Sequence, residues 1–118
     1  MFEWKTASWA DLAHYFREIP SQAPMVALIE HVTDAPYAER IFGATSMASL
    51  VVAQTPIIFR DQEVLRVDFD SWTDSFIVAM QERGFRLDFS PRDPLTRSVP
   101  RSNGIATLEW FLRAKRWD

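Results

Sequence analysis

Three side chains that can bind a metal ion or transfer protons lie close together near the start of the chain. Asp11, His14 and Glu18 are spaced i, i+3 and i+7, so a helix displays them along one side. Carboxylate and imidazole groups at this spacing suit metal binding or acid–base catalysis. They lie away from the apolar stripe that includes Leu12 and Phe16, which favours a solvated polar face, and no fourth ligand is evident. We therefore predict no metal site and no cofactor.

A second set of such side chains follows an apolar run. Residues 25–29 have the length and composition of a strand covered on both faces, and we interpret them as the central strand of a sheet. Glu30, His31 and Asp34 would then lie at the end of that strand, where active sites of open α/β sheets gather. His31 is the candidate acid or base, with Glu30 and Asp34 beside it. The alternative is that His31 is structural or simply exposed.

Three arginines are interleaved with serine, threonine and proline between residues 90 and 103. This composition predicts a loop or an extended surface segment, and a connection of this length is often functional. Arg92, Arg97 and Arg101 can bring guanidinium groups together on a phosphate group or an acidic partner. The simpler alternative is a solvated loop.

The last predicted helix has an aromatic and basic side. Trp110 and Trp117 are seven residues apart, so they share one side of a helix, with Arg113 between them. Trp and Arg are enriched among the residues that dominate binding energy at protein interfaces. Either tryptophan can instead pack in the core. We predict that this helix and the arginines of the loop form a partner-binding surface.

Two five-residue stretches share one pattern and predict strands of one sheet. Residues 65–69 are Leu-Arg-Val-Asp-Phe and residues 85–89 are Phe-Arg-Leu-Asp-Phe. Each stretch has three apolar side chains on one face of a strand, with an Arg and an Asp on the other. If the two strands are neighbours, their charges pair across the sheet, Arg66 with Asp88 and Asp68 with Arg86.

The segment between these stretches fits two structures. Trp72, Phe76 and Met80 lie on one helical face, which predicts a helix over residues 72–83. Phe76, Val78 and Met80 also alternate, which would make the segment a strand of a three-stranded meander. We favour the helix and keep the strand as the alternative.

Helices near both ends complete the predicted fold. Apolar residues at helical spacing predict helices over residues 9–18 and 104–116. We also expect a short helical turn over 36–42 and a strand over 49–53. The fold class is therefore α+β, a single domain over residues 1–118 whose sheet of about four or five strands is packed by the two terminal helices.

Composition excludes several classes of protein. The 118 residues contain no cysteine, so disulfides, thiolate catalysis and cysteine-based metal centres are absent. No segment resembles a signal peptide or is long and apolar enough to span a membrane, and we expect a cytoplasmic protein. The net charge is −3, with −7 on residues 1–82 and +4 on residues 83–118. An acidic domain is a poor candidate for nonspecific nucleic-acid binding.

These observations favour a non-enzymatic protein-interaction or regulatory module. Histidine and glycine are scarce, with two and three copies, and no complete catalytic or phosphate-binding motif is present. The expected partner is another protein or a second copy of the chain. The alternative is a small enzyme acting on a polar or anionic substrate, with His31 as acid or base and a loop arginine holding the anion.

Overall fold

An antiparallel five-stranded sheet organises the computed structural model, which describes residues 3–82 and 95–118. The strands are β1 (Glu3–Lys5), β2 (Phe42–Ser46), β3 (Ser49–Ala53), β4 (Ile57–Phe59), β5 (Val64–Asp70), β6 (Ser75–Gln81) and β7 (Thr96–Pro100). The helices are α1 (Trp9–Arg17), α2 (Ala23–Thr33) and α3 (Gly104–Lys115). In the main sheet the strand order is β2-β3-β5-β6-β7, and β1 pairs with β4 in a separate ribbon. This confirms the predicted α+β fold class.

β5 contains the first of the two patterned stretches and forms the predicted strand. Its inward side chains are buried against the helices: Leu65, Val67 and Phe69. On the opposite face, Arg66 donates from Nε to Oδ2 of Asp68 at 2.7 Å, so the two charges pair along one strand. The second stretch, residues 85–89, lies outside the described residues, as do the predicted pairs with Arg86 and Asp88.

The predicted helix over residues 72–83 is wrong, and the alternative of a meander strand is correct. β6 pairs with β5 along its whole length, from Asp70 opposite Ser75 to Val64 opposite Gln81. Its alternating apolar side chains point into the core: Phe76, Val78 and Met80. Residues 71–74 form the intervening turn, in which Asp74 has a left-handed φ of 53°. The alternating pattern along the seven residues of β6 therefore outweighs the helical spacing of the three residues Trp72, Phe76 and Met80.

The predicted central strand over residues 25–29 is also wrong, because these residues lie in α2. Pro24 falls in the first turn of the helix, where the missing N–H costs no hydrogen bond. The helix buries five apolar side chains among α1, α3 and the sheet: Met25, Val26, Leu28, Ile29 and Val32. A short apolar run has no periodicity that separates a buried strand from a buried helix.

The structure tests two predictions about the connecting segments, and one of them needs correction. Residues 36–42 contain hydrogen-bonded turns and the start of β2, not a helical turn of their own. Residues 90–103 were predicted as a loop or an extended surface segment, and their described part contains the edge strand β7, which pairs with β6, followed by a 3-10 turn over Arg101–Asn103. β7 ends at a proline, which an edge strand tolerates because the missing N–H removes no essential sheet hydrogen bond. Residues 90–94 lie outside the described ranges.

The terminal helices and the strand over residues 49–53 agree with prediction. Ser8 caps α1 by accepting the Asp11 N–H at 3.1 Å. α3 places one stripe against the sheet: Leu108, Phe111 and Leu112, all buried. This stripe fixes which side chains of α3 face outward.

Close packing at Gly104 sets the position of α3 on the sheet. A Cβ atom at Gly104 would lie 2.6 Å from Cε2 of Phe76, far inside van der Waals contact. The start of α3 therefore approaches β6 as closely as a residue without a side chain allows. Any larger residue must move the Phe76 ring or the helix.

Gly104→Ala should destabilise the protein by roughly 1 to 3 kcal/mol, because overpacking outweighs the better helix propensity of alanine. Urea unfolding measures the change as a lower midpoint at unchanged slope. In a Phe76→Leu background, where the ring is gone, the same change should cost less. Equal costs in both backgrounds would contradict the contact as the cause.

Candidate functional site

The acidic and histidine residues of α1 form an exposed pair and not a ligand set. His14 Nε2 lies 3.9 Å from Oε1 of Glu18, and both side chains are more than 70% exposed. Asp11 lies in the first turn of the same helix. Within residues 3–82 and 95–118, no group of three His, Asp or Glu side chains is placed to hold a metal ion.

The three residues predicted as a catalytic set do not converge. Glu30 faces α1, where its Oε1 lies 3.8 Å from Nη2 of Arg17. Asp34 follows the end of α2 and is exposed. His31 instead reaches α3, where Nε2 lies 3.0 Å from Oε2 of Glu109. The helix, which replaces the predicted strand, turns neighbouring residues in different directions.

His31, Tyr37 and Glu109 form a polar contact between α2 and α3, which we call the clasp. Tyr37 donates its hydroxyl to the same Oε2 of Glu109 at 2.7 Å. Tyr37 is itself buried, with 7% of its surface exposed. The clasp thus joins the end of α2, the following turn and the middle of α3 through one carboxylate oxygen.

Opposing effects determine the ionisation of Glu109. Partial burial raises the pKa of its carboxyl, but hydrogen bonds from Tyr37 and His31 and the positive charge of Arg113 lower it more. The net result is a pKa below the ordinary value. Glu109 is therefore a carboxylate acceptor near neutral pH.

Tyr37 is held as a neutral phenol. Burial raises its pKa most, followed by the hydrogen bond to Glu109 and the negative charges of Glu109 and Asp118. Its pKa lies well above the ordinary value. It can therefore donate a hydrogen bond at neutral pH, but it cannot act as a base there.

An open cleft of about 370 Å³ lies beside the clasp. Its walls carry both signs of charge, with Arg40 and Arg113 opposed to Glu109 and Asp118. Arg40 donates to the main-chain oxygen of Asp118 at 2.7 Å. Arg113 is exposed and forms no ion pair with any residue in the described ranges.

The outward side of α3 carries Trp110 and Arg113, and Arg97 of β7 lies beside Trp110. We call these three residues the α3 surface. Trp110 is 48% exposed, and the guanidinium of Arg97 lies 5.5 Å from the centroid of its ring. Arg97 reaches this ring from β7, on the helix-facing side of the sheet. Arg113 follows Trp110 by three residues, so it lies beside it on the helix and also borders the cleft.

The remaining residues predicted to bind a partner lie elsewhere. Trp117 is buried, with 4% exposure, so it belongs to the core. Arg101 pairs with Asp74, Nη2 to Oδ1 at 2.7 Å, at the turn between β5 and β6. Arg92 lies outside the described residues. Arg97 contacts Trp110 and Arg101 contacts Asp74, so these two arginines of the predicted set have different partners.

Sequence reasoning missed Tyr37, Arg40 and Glu109. Glu109 is 78 residues from His31 and 72 from Tyr37, so no local spacing connects them. One signal was present, since Glu109 directly follows Leu108 at the edge of the apolar stripe of α3. A carboxylate in that position lies next to whatever packs on the helix.

Comparisons with family models, with curated proteins and with solved structures return no match for this chain. None of the helices that the structure describes has the length and hydropathy needed to cross a membrane. The features of the molecule that indicate a function are therefore the clasp, the cleft and the α3 surface.

Glu109→Gln should lower the free energy of unfolding by about 1 to 2 kcal/mol near pH 7, because the carboxylate accepts two hydrogen bonds. Since folding lowers the pKa of Glu109, its contribution is complete above the ordinary value of 4.5 and is lost as the pH falls through the folded-state value. Urea unfolding of both proteins at about pH 7 and about pH 3 should show a smaller difference at the lower pH.

Glu39→Gln provides the control near pH 7, because Glu39 is exposed in the neighbouring turn. It should change stability by less than about 0.5 kcal/mol. A difference between wild type and Glu109→Gln that is the same at both pH values would contradict a stabilising carboxylate in the clasp.

Tyr37 should stay protonated at about pH 11, where an ordinary tyrosine is mostly ionised. Folding raises its pKa, so its stabilising contribution is complete below about pH 10 and is lost as the pH rises through the folded-state value. Tyrosinate absorbance of wild type and Tyr37→Phe should therefore match in the folded proteins. In denaturant the wild type should gain one additional tyrosinate; a difference already present before unfolding would contradict the buried phenol.

Proposed function

We propose that this chain is a non-enzymatic protein-interaction module whose α3 surface binds an acidic segment of another protein. The observation that carries the proposal is the half-exposed Trp110 held under the guanidinium of Arg97, with Arg113 beside it. An aromatic ring flanked by arginines is the composition of a binding hot spot.

Charge favours an acidic partner. Residues 95–118 carry five basic and two acidic side chains, whereas residues 3–82 carry five basic and twelve acidic ones. The α3 surface therefore belongs to the basic part of an acidic molecule. Opposite charge accelerates association and selects against basic partners.

The Trp110 ring is held in place before any partner binds, which favours a role in binding. Arg97 restrains the Trp110 ring through a cation–π contact, and Trp110 also packs edge-on against Phe111, with ring centroids 5.0 Å apart. A side chain already held in place loses less conformational entropy on binding. The clasp adds to this by fixing the α2 side of the same helix.

The cleft gives the partner a second contact. Arg113 borders both Trp110 and the cleft, so a carboxylate that pairs with Arg113 lies beside the indole ring. A partner segment with an acidic residue close to an apolar one matches this arrangement. Such a module regulates its partner by occupying that segment.

We further propose a cytoplasmic setting, which is consistent with a chain without cysteine.

A small enzyme is the second candidate, because His31 lies 3.0 Å from Glu109 next to a cleft with two arginines. The geometry favours it less. Glu109 accepts from His31 and Tyr37 on one oxygen, which is an arrangement that ties two helices together. Arg97 and Arg101 contact Trp110 and Asp74, which supports a role for them away from His31.

Trp110→Ala should weaken binding of a labelled acidic peptide of alternating Glu and Leu by about tenfold or more, as expected for a hot-spot aromatic residue. Arg113→Glu should weaken it further by adding repulsion. Fluorescence anisotropy measures both, and affinity should fall with added salt. The same peptide with Lys in place of Glu should not bind.

Arg60→Glu is the matched control for charge, because it changes the net charge equally at an exposed residue outside the α3 surface. It should leave affinity within about twofold of wild type. Failure of the acidic peptide to bind, or equal binding by wild type, Trp110→Ala and Arg113→Glu, would contradict the proposal.

A further inference from the structure

Trp72 is the most exposed large apolar side chain in the described residues. It lies in the turn between β5 and β6, with 97% of its surface accessible. Two hydrogen bonds form within the turn. The Trp72 N–H donates to Oδ1 of Asp70 at 2.9 Å, and the Ser75 hydroxyl donates to the Thr73 carbonyl at 3.0 Å. A hydrogen-bonded turn therefore presents an indole ring to solvent.

An apolar groove of about 230 Å³ lies between the first turns of α2 and α3. Ala23, Pro24 and Ala27 form one wall, Ile105 the other, and Arg101 one end. Its volume is below the roughly 300 to 1,000 Å³ of small-molecule pockets. A groove of this size and composition suits one large apolar side chain.

Arg101 connects the groove to the turn that carries Trp72. Its main-chain N–H donates to the Asp74 carbonyl at 3.0 Å, and its guanidinium pairs with the Asp74 carboxylate. The ring and the groove therefore lie at the same end of the molecule. Neighbouring complementary features on one surface allow a two-fold symmetric contact, in which each molecule gives and receives the same group.

We propose that the chain forms a two-fold dimer in which Trp72 of each copy occupies the groove of the other. Charge supports this occupant. Arg101 and Asp74 pair within each molecule, so the charge that remains at the turn is the Asp70 carboxylate, two residues before Trp72. The groove is bordered by the positive ends of α2 and α3, which carry no acidic residue in their first turns. The Asp70 carboxylate of each copy thus meets the positive helix ends at the other groove. This contact uses none of the residues of the α3 surface.

The dimer is concentration-dependent. One tryptophan buries about 150 to 250 Å², so two reciprocal contacts with their groove walls fall below the roughly 1,200 Å² of a standard interface. Sedimentation velocity over roughly 10 µM to 1 mM covers the corresponding range of affinity. Wild type should shift from monomer to dimer across this range.

Two variants remove opposite halves of the contact. Trp72→Ala removes the ring from a fully exposed position, and Ala27→Lys places a charged side chain in the groove from an exposed helical position. Each should stay monomeric. A 1:1 mixture should form a dimer again, weaker than wild type, because one intact ring then meets one intact groove. Ala10→Lys on the exposed side of α1 and Trp110→Ala are the controls and should dimerise like wild type.

Several results would overturn the proposal. These are a monomeric wild type at all concentrations, a Trp72→Ala variant that still dimerises, an Ala27→Lys variant that matches Ala10→Lys, or a mixture that stays monomeric. A dimer lost in Trp110→Ala and kept in Trp72→Ala would place self-association on the α3 surface instead. Peptide binding through the α3 surface should be unchanged in Trp72→Ala, so the two proposals fail independently.

Discussion

Close packing on β6 fixes how α3 lies against the sheet. Gly104 brings the start of the helix against the Phe76 ring, and Leu108, Phe111 and Leu112 continue the contact along the sheet. Once this face is buried, the rotation of the helix is fixed. Each remaining side of α3 then meets a different environment.

Those sides divide the polar and aromatic groups among three places. Glu109 meets His31 and Tyr37 in the clasp, where partial burial and two hydrogen bonds set its charge. Trp110 and Arg113 face outward, and Arg97 reaches Trp110 from the edge strand. Ile105, near the start of the helix, forms a wall of the groove. One packing contact thus positions the clasp, the α3 surface and the groove together.

Local pattern predicted the fold class and the terminal helices, because an amphipathic stripe such as that of α3 needs no information from distant residues. It failed for residues 25–29, where α2 is buried among α1, α3 and the sheet, so nearly every side chain is apolar. It left residues 72–83 ambiguous, because Phe76 and Met80 fit both a helical face and a strand. The left-handed Asp74 and pairing with β5 decide for the strand.

The candidate site was harder to predict, because its residues are distant in sequence. His31 was chosen for its residue type, but its partner is Glu109 and not the adjacent Glu30 or Asp34. Trp110 and Trp117 are seven residues apart, which predicted that they share one side of a helix, but they lie in different environments. The helix ends at Lys115, and the next residue, Arg116, has a left-handed φ of 59°, so Trp117 turns into the core while Trp110 stays outside.

The proposed function requires that α3 present Trp110 to an acidic partner. Fluorine NMR with 5-fluorotryptophan tests it most directly, because the chain has five tryptophans and single Trp→Phe variants assign their signals. In dilute protein with a soluble paramagnetic agent, relaxation should be strong for Trp72, intermediate for Trp110 and weak for Trp117. Adding the acidic Glu/Leu peptide should shift the Trp110 signal and reduce its relaxation, with Trp72 and Trp117 unchanged. A Trp110 signal that the peptide leaves unaltered would contradict the proposed binding. A Trp117 signal as accessible as that of Trp110 would contradict the different exposure of the two rings.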